Sequence, residues 1–300
     1  MITTLNHTTL AKITTQPDMD EFVASLGLTS PTVIIKPNWV DSCQGTHTEA
    51  KILDIFLNSL KNKKIIIVES YTFWRTEKET NGEGNPFSSK EADFEKGIIH
   101  WDFFKKQDNW FLAYTGIDKV LAKHNITYLN VTNELWSENS HTLIPQKLQN
   151  LAGSDFISFS KLKGDGEYGA TLSIKNIYGL YPDPHRKKYH GENDKLLLTS
   201  ILEINKIYQK LFKCFFIVEG VFIASHVDWS SKKEPLIFPD LGIIVGGSDA
   251  LEVDSTVLAA IGRQFTGPLS TLLADYQHQI GGYFQTLPVP LDYRFSFPKL

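Results

Sequence analysis

Residues 32–70 read TVIIKPNWVDSCQGTHTEAKILDIFLNSLKNKKIIIVES, and this stretch decides the fold class. Residues 32–35 are a short apolar, β-branched run closed by Lys36-Pro37-Asn38, which reads as a buried strand ending in a turn. Residues 48–60 place Ile52, Leu53, Ile55, Phe56 and Leu60 close to helical period, with Thr46 or Thr48 available as a cap. Residues 64–68 form the next apolar run and end at Glu69-Ser70. Strand, helix and strand in that order form a βαβ unit, which favours a parallel sheet.

The rest of the chain repeats the alternation. Helical patterns are expected over 115–124, 195–212, 250–261 and 269–278, with Gly262 as a natural stop for the third. Strands are expected over 126–131, 156–159, 215–218 and 241–245. Residues 71–110 read as an excursion with a few short elements. The predicted fold is α/β, a mainly parallel sheet flanked by helices, with two lobes around one cleft. The lobes fall at about 1–150 and 151–265 within one unit of 1–300, followed by an irregular tail over 266–300.

Composition narrows the class. The chain has 300 residues, 42% hydrophobic and 21% charged, with a net charge of −4. That balance argues against disorder and against a general nucleic-acid binder. No apolar run reaches the roughly 18 residues needed to span a bilayer, and the N-terminus lacks the apolar region of a secretory signal. Two cysteines, Cys43 and Cys214, make no disulfide framework, zinc ribbon or iron–sulfur set. A cytoplasmic protein is the expectation; no oligomeric state follows.

Polar residues recur just after the predicted strands: Lys36 and Asn38, Glu69 and Ser70, Lys161 and Lys163, Glu219, and Ser248 with Asp249. Ligands in open α/β sheets bind at the carboxyl ends of the strands, so these positions mark a site. The densest polar segment is residues 161–190, KLKGDGEYGATLSIKNIYGLYPDPHRKKYH, whose scattered glycines suit close approach of backbone to a ligand. Within it Lys175 sits among Leu172, Ile174 and Ile177. Partial burial there would lower its pKa and suit it to act as base or nucleophile. Lys36, Lys163 and Arg186 are candidate anion contacts, and Asn38, Asn176 and Glu219 candidate polar contacts. His190 and Asp249 are candidate ligands of a divalent metal ion, with His185 a weaker one; Asp249 is equally placed to cap the following helix. Asp254, one turn in, suits a loop lysine better than a substrate. There is no glycine-rich phosphate loop and no Gly-x-Ser-x-Gly elbow.

Taken in order, Ile35 to Asn38, Ser158 to Lys163, Thr171 to Gly179, His190, Val218-Glu219-Gly220, Gly246 to Asp249 and Val253-Asp254 resemble the family known as domain of unknown function 362, over about residues 33–262. A remoter resemblance is to the lactate racemase family, which uses a nickel-pincer nucleotide. Lys175 and His190 match that family's cofactor-bearing lysine and metal-binding histidine in order and spacing, while the position of its catalytic histidine holds Asp165. Relatives often read Lys-x-His where this chain has Lys163-Gly164-Asp165, and Asp-Gly where it has Glu219-Gly220. These departures imply a different substrate side.

The expectation is an enzyme doing acid–base chemistry on a small anionic, carboxylate-bearing metabolite: an isomerase, racemase or lyase in which Lys175 and Asp165 move protons. The competing expectation is a non-catalytic metabolite- or metal-binding protein using the same cleft.

Overall fold

A computed structural model describes residues 2–72, 75, 92–93, 98–99, 101–137, 143–165, 169–184, 186–224, 237–238, 242–261 and 267–282. The chain opens with a hairpin, β1 (Ile2–Leu5) and β2 (Thr8–Lys12), then α1 (Gln16–Ser25). The βαβ unit follows as β3 (Thr32–Lys36), α2 (Ala50–Ser59) and β4 (Lys64–Glu69). After β5 (Ala92–Asp93) and β6 (Ile98–Ile99) come α3 (Trp101–Thr115), α4 (Ile117–Lys123), β7 (Thr127–Asn130), α5 (Val131–Ser137) and α6 (Gln146–Gln149). Next are β8 (Asp155–Asp165), β9 (Gly169–Thr171), the single turn α7 (Ser173–Asn176), α8 (Lys187–His190) and α9 (Leu197–Leu211). The described chain closes with β10 (Lys213–Ala224), β11 (Ile237–Phe238), β12 (Ile243–Gly247), α10 (Ala250–Ala260) and α11 (Gly267–Gln279).

The fold is α/β, a mainly parallel sheet flanked by helices. The main sheet runs β1-β2-β12-β10-β8-β3-β4-β7, with β11 on β10 and β9 on β8. Its centre, β10-β8-β3-β4-β7, is a parallel block. Side chains alternate across the pleat, so each strand feeds both faces. Val33, Ile35, Ile67, Ile157 and Phe159 pack on the face covered by α1, α2 and α4. Ile34, Ile66, Val68, Phe156 and Val218 pack on the face covered by α9 and α10. Strands buried on both faces read as unbroken apolar runs, which is why these elements are legible in the sequence.

Three expectations are corrected. β12 pairs antiparallel with both β10 and β2, so its carboxyl end points toward the amino ends of the parallel block. Apolar periodicity carries no strand direction, and the sequence therefore gave no warning. β8 and β10 extend well past the expected 156–159 and 215–218, because polar residues such as Ser160, Lys161 and Glu219 continue in strand conformation while fully buried. α2 begins on Glu49 without a side-chain cap, since the Thr48 hydroxyl accepts from the Asn38 amide at 3.0 Å instead. The sheet also crosses from the span 1–150 to the span 151–265 without a break, with β8 seated between β3 and β10. Among the described residues no helix is long and apolar enough to cross a membrane.

Candidate functional site

Four parallel strands, β3, β4, β8 and β10, deliver polar side chains at their carboxyl ends. On β3 the alternation that buries Ile34 places Lys36 on the α9 face, where it is 1% exposed. Its ammonium donates to Glu69 Oε2 at 2.9 Å, to the Pro37 carbonyl at 2.7 Å and to Asn176 Oδ1 at 3.4 Å. Burial pulls the Lys36 amine down to about 8; Glu69 opposes the shift, while Arg186 and Arg75 add to it. Gly179 makes the fit possible, because a Cβ there would stand 2.8 Å from the Lys36 Nζ.

Asn176 and Asn38 join the two faces of the sheet end. Asn176 Nδ2 donates to the Lys36 carbonyl and the Ser158 hydroxyl, both at 3.1 Å, and its Oδ1 accepts from Asn38 Nδ2 at 2.9 Å. Asn38 Oδ1 in turn accepts from Lys163 Nζ at 2.8 Å, and Lys163 also donates to the Thr46 carbonyl at 2.6 Å. Alongside, Lys161 Nζ is ion-paired with Glu49 at 2.6 Å and with Glu219 Oε1 at 3.0 Å. The structure therefore links Lys36, Asn38, Lys163 and Asn176 directly, and sets Glu219 beside them on the neighbouring strand, across from Lys161.

Arg186 lies at the mouth of this network. It is half-buried, its backbone is left-handed at φ 53°, and Nη2 donates to the Ser70 hydroxyl at 2.9 Å and the Gly179 carbonyl at 3.0 Å. Nε is shielded from solvent without a hydrogen-bond partner, and among the described residues no carboxylate forms an ion pair with Arg186. A left-handed non-glycine backbone is strain that the surroundings must hold in place. A guanidinium held among strand ends is a common seat for an oxyanion.

The remaining candidates are placed as follows. Lys175 is half-buried on α7, next to the fully packed Asn176. Asp165 ends β8, its backbone paired with Gly169. His190 ends α8, its Nδ1 2.7 Å from Asp194 and its ring 5.6 Å from that of Tyr178. Asp249 stands at the opposite end of the sheet, because β12 is antiparallel; there it caps α10, accepting from the Leu251 and Glu252 amides at 2.9 and 3.0 Å. His190 and Asp249 are thus not brought together. Among the described residues no group of three His, Cys, Asp or Glu side chains is arranged to hold a metal ion. His185 lies outside the described residues. Among the described residues Asp254 pairs with no lysine: it accepts from the Ser173 amide and hydroxyl and from the Ile174 amide, so it fixes the start of α7. Burial pushes its carboxyl up to about 7 despite those donors.

Sequence reasoning passed over Glu49, Arg75, Asp108 and Ser158. Glu49 was visible as a polar residue at the start of the expected helix, and Ser158 as a polar residue inside an expected strand. Arg75 and Asp108 carried no signal, because they come from the excursion after β4 and from α3, and only the packed fold joins them. Arg75 is 1% exposed and pairs with Asp108 at 2.8 Å.

Neither the curated proteins nor the solved structures yield a match. The family model described as Domain of unknown function (DUF362) matches residues 33–259, a span that runs from β3 through nearly all of α10 and contains every side chain of the network. The chain belongs to this family.

Proposed function

We propose that this protein is an enzyme that moves a proton next to the carboxylate of a small monoanionic metabolite, as an isomerase, racemase or lyase would. The observation that carries the reading is the buried Lys36–Glu69 pair at the carboxyl edge of the parallel block, whose amine is pulled down to about 8. An amine titrating there exchanges a proton near neutral pH, which an ordinary lysine near 10.4 does poorly. Lys36, Arg75 and Arg186 cluster at this edge with the carboxylates Glu69, Asp108 and Asp183, so a bound anion would be met by several cations. Arg186 and Lys163 would hold the substrate carboxylate and polar end. Lys175 and Asp165 are the candidates for the second proton transfer that an isomerase or racemase requires.

The test is deuterium wash-in. A panel of 2-hydroxy-, 2-amino- and 3-hydroxycarboxylates is incubated with the protein in deuterated buffer and read by proton NMR. At least one should exchange the hydrogen beside its carboxyl. Lys36→Met should slow that exchange by roughly 100- to 10,000-fold. Carboxylate binding without exchange across the panel would instead establish a non-catalytic binding protein. Exchange lost in Lys175→Met but kept in Lys36→Met would move the proton-transfer role to Lys175.

A further inference from the structure

The ion pair between Arg75 and Asp108 lies behind the Lys36–Glu69 pair and reaches it through two backbone segments. Arg75 Nη1 donates to the Trp39 carbonyl at 3.2 Å, and Nη2 donates to the Ser70 carbonyl at 2.5 Å. Those same two residues hold both oxygens of Glu69: the Trp39 amide donates to Oε2 at 3.2 Å and the Ser70 amide to Oε1 at 3.0 Å. Asp108 is held in turn, since its Oδ2 accepts from the Tyr128 hydroxyl at 2.9 Å, and Asn130 Nδ2 donates to that hydroxyl at 3.3 Å. Burial pushes both the Asp108 carboxyl and the Tyr128 hydroxyl up, while Asp108 offsets the desolvation of Arg75. The chain of contacts therefore runs from α3 and β7 through Arg75 to the ends of β3 and β4, and stops at Glu69.

We propose that Arg75, locked by Asp108, is the positioning residue of the Lys36–Glu69 pair: it fixes the two residues that aim Glu69 at Lys36 and sets a permanent positive charge behind them. This rests on the reading of Lys36 as the proton carrier, but it is tested without turnover. Among the described residues the charged groups acting most strongly on Lys36 are Glu69 from β4, Arg186 from the segment before α8, and Arg75 itself; Asn176 and the Pro37 carbonyl are neutral. An ion pair too far from Lys36 to be felt would leave its titration alone. A positioning charge would not.

The experiment follows the Lys36 side-chain nitrogen by NMR of protein labelled with nitrogen-15 in its lysine ammonium groups. The resonance is assigned by its loss in Lys36→Met. In Arg75→Met the Lys36 midpoint should rise by about one unit, because a nearby cation is gone. In Asp108→Asn it should fall, because Arg75 loses its partner and turns its full charge on Glu69. Opposite signs are the signature. Shifts of the same sign, or none, overturn the proposal. If a single variant fails to fold, Arg75→Met/Asp108→Leu removes both buried charges together, which leaves neither stranded. The Lys36 midpoint should still rise there, and an unchanged midpoint overturns the proposal. Should Lys36 titrate as expected while no carboxylate exchanges deuterium, the functional reading fails and the positioning role stands.

Discussion

Two neighbouring residues, Lys175 and Asn176, carry different loads. The sequence draws attention to Lys175, a charge inside an apolar run, yet it is only half-buried. Asn176 is 2% exposed and satisfies four partners: the Lys36 ammonium and carbonyl, the Ser158 hydroxyl and the Asn38 amide. A buried donor or acceptor left unmatched costs about 1–3 kcal/mol. Asn176→Ala should therefore lower stability by roughly 3 kcal/mol or more, and Lys175→Ala by less than about 1 kcal/mol. Urea unfolding of the two variants against the parent gives the comparison. Similar losses would mean that Lys175 is as deeply engaged as Asn176. The same logic explains what was legible here. Lys36, Asn38 and Lys163 were all found, because a polar residue following an apolar strand run has few places to go except the sheet end; Asn176 stood out instead as a polar residue among Leu172, Ile174 and Ile177. That Lys36, Lys161 and Lys163 are deeply buried while Lys175 on α7 is not is decided by packing alone.

At the scale of elements, α7 is one turn long and has no side-chain cap of its own on Leu172. Its start is supplied from α10 instead, by Asp254, whose three accepted bonds run from 2.6 to 3.1 Å. A carboxyl titrating at about 7 in the fold and near 3.8 in the unfolded chain binds more protons when folded across that window. Stability contributed by protonation is then present below pH 4 and is lost as pH rises to about 7, by up to a few kcal/mol. Asp254→Asn cannot titrate. Its melting temperature should be flatter between pH 4 and 7 than that of the parent, although the amide replaces one acceptor with a donor facing Ile174. Thermal melts across that range check it; an unchanged slope would show that another group dominates. The sequence placed α10 and its first residues well. The partnership of Asp254 with α7 was out of reach, since it joins residues 81 positions apart through a packed interface.

The whole molecule is an extension of its βαβ core in two directions, and the two halves were unequally readable. The parallel block is buried on both faces, so each of its strands announces itself as an apolar run. The β1–β2 hairpin has no comparable signal, because Ile2–Leu5 and Thr8–Lys12 mix threonine with leucine and look like polar termini, whereas β12 was expected as a strand but not as an antiparallel one. Yet β12 is the seam that joins the hairpin to the block, pairing with β2 on one edge and β10 on the other. The seam is close-fitting: a Cβ on Gly247 would overlap the His7 carbonyl oxygen, and one on Gly246 would come within 2.7 Å of the Phe22 ring. His7 is further tied to the start of α10, its amide donating to Glu252 at 3.1 Å. A methyl at Gly247 meets backbone, which cannot rotate aside, so Gly247→Ala must push the hairpin turn away from β12. Overpacking of this kind costs about 1–3 kcal/mol. The distortion falls on the sheet edge remote from Lys36, where Asp249 already stands. Gly247→Ala should therefore lower the melting temperature and speed amide exchange in Thr8–Lys12 while leaving the Lys36 titration midpoint where it is. A shifted midpoint would show that the antiparallel edge and the carboxyl edge of the block are coupled, and the site would then depend on the whole sheet rather than on its parallel core.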